Sequence, residues 1–209
     1  MKTLLDIDNW PRKEHFLFFK QFEEPFFGAT VEIDCTAAYA KSKSLETSFF
    51  IYYLHKTLVA INNNESFRYR ISDEHIYIYD RIDASATIGR ADGTFGFSLI
   101  QYDPDFDVFK KIALQEIERI QSTTGIFTRT FENDNLIHFS AIPWLNFTSL
   151  SHARSYTFPD SCPKISFGKM TISKNGKKIM PMSIHVHHGL MDGSHLGKLV
   201  DYFQEIMNQ

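Results

Sequence analysis

Apolar residues recur along this 209-residue chain with two periods, one near 3.6 residues and one of two. Phe109, Ile112, Ala113, Ile117 and Ile120 share one helical face, predicting a helix over Asp105 to Gln121 that Asp103-Pro104-Asp105 starts and Gly125 ends. Phe50, Leu54, Leu58 and Ile61 predict a second helix over Ser44 to Ile61, stopped by Asn62-Asn63-Asn64. Leu196, Leu199, Val200, Phe203 and Ile206 predict a third over Ser194 to Met207. Alternation predicts strands over Phe26 to Ile33, through Phe95, Phe97 and Leu99, and over Leu136 to Ile142, where Pro143 stops it. Phe67 to Ile71 and Ile76 to Tyr79 predict a hairpin around Ser72-Asp73-Glu74. Ile165 to Ile172 and Lys178 to His187 flank Lys174-Asn175-Gly176-Lys177, and Asn-Gly is a strong hairpin signal. Hairpins interleaved with amphipathic helices predict an α+β fold, a mixed β-sheet with helices packed on one face. With no repeat, low-complexity segment or linker, residues 1–209 read as a single domain.

Composition narrows the function classes. The net charge is −3, with 22 basic and 25 acidic residues, so nucleic acid and anionic membranes are poor partners. Twenty Phe, 9 Tyr and 2 Trp exclude a disordered chain. The longest apolar run, Phe49 to Leu54, is far short of a membrane span. Asp6 interrupts the N-terminus before a signal-peptide core forms, so a cytoplasmic protein is expected. Cys35 and Cys162 lie outside any CxxC and are expected to be buried free thiols.

The chemistry concentrates in His185-Val186-His187-His188-Gly189-Leu190-Met191-Asp192-Gly193-Ser194-His195, where a strand gives way to a helix. Three readings stand side by side. His188 suits a general base, since free imidazole titrates near neutrality. His185, His187, His195 and Asp192 suit a metal site, because His-x-His on one strand face is a ligand spacing. The third reading is strand-end histidines that satisfy polar edges.

The motif His187-His188-x-x-x-Asp192-Gly193, following Met180-Pro181-Met182-Ser183, resembles the chloramphenicol acetyltransferases. Asn9-Trp10-Pro11-Arg12-Lys13-Glu14-His15-Phe16 and Ser140-Ala141-Ile142-Pro143-Trp144-Leu145-Asn146-Phe147 resemble two further segments of that family. The resemblance implies the CoA-dependent acyltransferase fold, which dihydrolipoyl acyltransferase domains share. It also implies a cytoplasmic homotrimer with active sites between subunits, transferring acetyl from acetyl-CoA to a hydroxyl of chloramphenicol, with no metal. His188 then corresponds to the catalytic base and Ser140 to the donor that stabilises the oxyanion. Asp192 and Arg12 correspond to an ion pair bracing the loop that carries the base. Phe18, Phe19 and Ser166 correspond to acceptor-pocket positions, and Trp144 and Lys169 lie near positions that contact CoA. Ser194, His185, Phe50 and Phe19 replace residues common in relatives, the last two standing where tyrosine hydroxyls are found.

Overall fold

The computed structural model describes residues 1–131, 134–155 and 160–209. In chain order the elements are β1 (Lys2–Leu4), α1 (Lys13–Phe19), β2 (Phe26–Asp34), α2 (Thr36–Ser44), α3 (Phe49–Asn62), β3 (Tyr69–Ser72), β4 (His75–Tyr79), β5 (Asp83–Gly89), β6 (Phe95–Phe97), α4 (Phe106–Gln121), β7 (Leu136–Ala141), β8 (Lys164–Phe167), β9 (Thr171–Ile172), β10 (Lys178–His187) and α5 (Gly193–Met207).

Among the described residues, seven strands form the main sheet in the order β2-β10-β8-β7-β5-β6, with β9 paired to β10. β5, β7 and β8 run parallel and the remaining pairings are antiparallel, so the sheet is mixed. A second sheet, β1-β4-β3, is tied to the first by Arg70. The Arg70 side chain is fully buried and donates to the carbonyls of Phe67, Tyr69, Asp134 and Leu136. Each of its nitrogens has a partner, which offsets the cost of burying the charge.

Helices cover one face of the main sheet. Tyr53 of α3 packs against Phe139 and Phe167, and Phe203 of α5 meets Phe167, at ring distances of 6.0, 4.9 and 5.8 Å. Strand alternation sends the next residues to the other face. There the register aligns Ser140 with Ser166, Ser166 with Ser183, and Ser183 with Thr30. A row of hydroxyls thus crosses four strands on the side away from α3 and α5.

Several predicted elements differ in extent. The helix expected over Ser44 to Ile61 begins at Phe49, and a separate α2 precedes it. The chain turns between them at Glu46, whose φ of 46° is left-handed. The strand expected over Ile165 to Ile172 breaks at Gly168, where a Cβ would come within 2.6 Å of Pro181 and 2.7 Å of the Leu145 carbonyl. Phe67 belongs to a short 3-10 turn, and the hairpin that follows turns on Asp73 and Glu74, both at positive φ. The helix over Phe106–Gln121 is capped by Asp105, whose carboxylate accepts from the amides of Asp107 and Val108. Leu99 falls outside β6, which ends at Phe97. Cys35 and Cys162 are buried and free.

Candidate active site

β10 ends at His187, and the chain reverses before α5 starts at Gly193. His188 sits on this turn. Its amide donates to the Pro25 carbonyl at 2.7 Å, fastening the turn to the segment before β2. The His188 ring lies between two phenylalanines, Phe19 at 4.0 Å and nearly parallel, and Phe27 at 4.4 Å. Nδ1 of His188 is 3.2 Å from the Met191 carbonyl. A carbonyl only accepts, so in the neutral ring Nδ1 carries the proton and Nε2 keeps its lone pair. The ring is therefore fixed in the tautomer a base requires.

Arg12, at the head of α1, braces the same turn from outside. It donates to the carbonyls of Leu190 and His188 at 3.1 and 3.2 Å and pairs with Asp192 at 2.5 Å. Asp192 also caps α5, accepting from the amide and hydroxyl of Ser194 at 3.0 and 2.7 Å. His195 Nδ1 stands 2.8 Å from the same carboxylate. Burial opposes the Asp192 charge. Hydrogen bonds from Ser194, His195 and Arg12 outweigh it and hold the carboxyl well below the usual range.

The remaining expected residues fall into other places. Phe18 is exposed and packs edge-on against Phe19 and Phe22. Trp144 is 77% exposed, and Lys169 is exposed beside it, its amide donating to the Leu145 carbonyl. Ser140 and Ser166 face each other across β7 and β8, and the buried Ser166 hydroxyl has no hydrogen-bond partner among the described residues.

Ser140 and His188 of one chain are far apart. Ser183 is level with Ser166 and hence with Ser140. His188 lies five residues further on, roughly 16 Å of strand, and two strand spacings, roughly 10 Å, to the side. The base and the hydroxyl row also occupy opposite faces, since His188 packs on Phe27, which pairs with Val186. A cleft of about 430 Å³ lined by Met1, Lys2, Tyr79, Arg81 and Asn135 holds none of the expected site residues.

Of the four residues weighed as a metal site, Asp192 and His195 meet in the cap of α5, but among the described residues they form no ligand cluster with His185 and His187. His185 faces Ser183 and His152, His187 accepts from Gly189, and His195 belongs to the cap of α5. His138, Asp160 and Cys162 do bring three donor atoms within 4.8 Å of one another. Lys164 already pairs with Asp160 there, so that carboxylate's charge is matched without an ion. Sequence reading missed Phe27, Pro25 and the Met191 carbonyl. The one available signal was register, since β10 antiparallel to β2 puts Phe26 opposite His187 and Phe27 opposite Val186.

Comparison with known proteins converges on one family. The family profile described as chloramphenicol acetyltransferase matches residues 1–204. Chloramphenicol acetyltransferase 3 of Escherichia coli is 29% identical over 210 residues, covering 99% of this chain and 97% of the relative. The Staphylococcus aureus chloramphenicol acetyltransferase is also 29% identical, covering 98% and 95%. A solved chloramphenicol acetyltransferase superposes with a TM-score of 0.90 at 34% identity, covering 99% of this chain and 100% of that one. The dihydrolipoamide acetyltransferase of Azotobacter vinelandii, at 9% identity and a TM-score of 0.68 over 94% and 86% of the two chains, shares the fold alone.

Proposed function

This chain belongs to the chloramphenicol acetyltransferase family, and from that premise we propose that it transfers acetyl from acetyl-CoA to a hydroxyl of chloramphenicol with His188 as general base. Nε2 of His188 takes the proton from the acceptor hydroxyl as its oxygen attacks the thioester carbonyl. The tetrahedral oxyanion accepts a hydrogen bond from Ser140 Oγ. Its collapse breaks the C–S bond, and the CoA thiolate leaves with the proton returned by His188. No acyl-enzyme forms. A positioned base of this kind is worth about 10²- to 10⁴-fold, and one oxyanion donor about 3 kcal/mol.

The observation that carries this reading is the His188 ring held through Nδ1, with no partner for Nε2 among the described residues, on a turn clamped by Arg12 and Asp192. The separation of Ser140 from His188 within one chain supports a site completed by a second copy, in a cytoplasmic homotrimer of single-domain subunits. Asp192 and Arg12 hold the loop. Phe19, Phe18 and Ser166 line the acceptor side, and the exposed Trp144 and Lys169 meet CoA. No metal takes part.

The test is release of free CoA thiol from acetyl-CoA by the purified protein, with and without chloramphenicol. Chloramphenicol-dependent release that disappears in His188→Ala supports the assignment. Release indifferent to chloramphenicol, or retained in His188→Ala, overturns it.

A further inference from the structure

His187 is 4% exposed, yet it is a polar ring that the mechanism above does not use. Its Nδ1 is 3.1 Å from the Gly189 amide, which can only donate. The ring is therefore the acceptor, and in its neutral form Nε2 carries the proton. Gly189 fits tightly against it, since a Cβ there would lie 3.1 Å from the ring and 3.3 Å from Phe16 Cα on the other side. The His187 carbonyl accepts from the amides of Leu190 and Met191 at 3.0 and 3.1 Å. Met191 in turn offers the carbonyl that fixes Nδ1 of His188.

We propose that His187 is a positioning residue for the base. Its side chain and carbonyl together close the 187–191 turn and so set where the Met191 carbonyl meets the His188 ring. Arg12 holds the outer side of this turn and His187 the inner side. Burial, with a contribution from Arg154, pushes the His187 ring down to about 4, so it stays an acceptor at neutral pH.

The inference rests on His188 acting as base, and its test separates the two. Oδ1 of asparagine occupies nearly the place of histidine Nδ1, whereas leucine fills the space with no acceptor. With acetyl-CoA and chloramphenicol, His187→Leu is expected to lower kcat on the order of 10- to 100-fold while KM for acetyl-CoA changes little. His187→Asn is expected to stay within about threefold of the parent, because it keeps the acceptor. Thermal melting and sedimentation identify the folded assembly used for each rate. A folded His187→Leu protein with unchanged kcat overturns the proposal, as does a folded His187→Asn protein as impaired as His187→Leu. If His187→Leu does not fold, His187→Asn against His187→Gln decides. Glutamine carries its oxygen beyond the Nδ1 position, so equal rates for the two overturn the proposal and a slower glutamine variant supports it. An inactive parent protein would instead strike the acyl-transfer reading.

Discussion

Phe19 and His188 lie face to face, their ring centroids 4.0 Å apart and their planes 8° from parallel. Phe27 flanks the imidazole from another side at 4.4 Å. Aromatic packing holds the ring plane, while the Met191 carbonyl holds its rotation about that plane. Neither contact engages Nε2. The two constraints therefore set direction and tautomer without consuming the lone pair.

Removing the stack should loosen the ring without changing its chemistry. An aromatic pair of this geometry is worth about 0.5–1.5 kcal/mol, so Phe19→Ala should lower kcat about three- to tenfold. Phe19→Tyr keeps the stack and should keep kcat close to the parent value. Steady-state kinetics with saturating acetyl-CoA reads both.

Arg12→Met strips three hydrogen bonds from the turn and leaves the Asp192 carboxylate without its cation. The Asp192 side chain is 35% exposed, so water recovers part of the loss. A destabilisation of about 2 kcal/mol is expected, with a larger proportional fall in kcat than in KM. Denaturant unfolding and steady-state rates check the two halves.

The same carboxylate gives stability a signature at very low pH. Its folded-state value lies below the ordinary one, so the stabilisation is complete above the unfolded value near 3.8 and is lost as pH falls further. Asp192→Asn should flatten the fall in melting temperature below about pH 4. An unchanged acid slope would show that the hydrogen bonds from Ser194, His195 and Arg12 do not hold this carboxyl down in solution.

A second window opens at higher pH. Burial holds His152 and His187 down to about 4, against 6.5 for the free ring. A histidine with a depressed folded value stabilises fully above its unfolded value and loses that contribution as pH drops. Melting temperature should therefore decline between pH 6.5 and 4, and His187→Asn should remove part of that decline. Thermal melts across this range, for parent and variant, give the comparison.

Legibility in the sequence followed the strength of local signals. The α4 helix, with its Asp105 cap and regular apolar stripe, was readable almost to the residue, as was β10, the second strand of the hairpin turning on Asn175-Gly176, whereas the break of its first strand at Gly168 was not. β5 was not, because its Ala84, Ser85 and Ala86 are small and buried on both faces, which removes the alternation that marks a half-exposed strand. α2 buries only Ala38 and Ser42, too little apolar surface to announce a helix. α1 is seven residues long and took its place in the reading only as part of a motif. At the site, side chains spoke plainly: Arg12, His188 and Asp192 were all marked out by motif. Contacts made through main-chain carbonyls, from Pro25, Leu190 and Met191, carry no residue identity and were invisible until the chain was folded.

His188 and Ser140 of one chain occupy opposite sheet faces, so the proposed site requires two copies of the chain. Subunit mixing tests this directly. His188→Ala and Ser140→Ala proteins, each strongly impaired alone, are unfolded together, refolded as hybrids and assayed for chloramphenicol-dependent thiol release. In random trimers about one site in four should pair an intact His188 with an intact Ser140 from the neighbour, and activity should return to that level. Hybrids that form, as shown by a size or charge tag, yet stay as inactive as their parents would contradict the account.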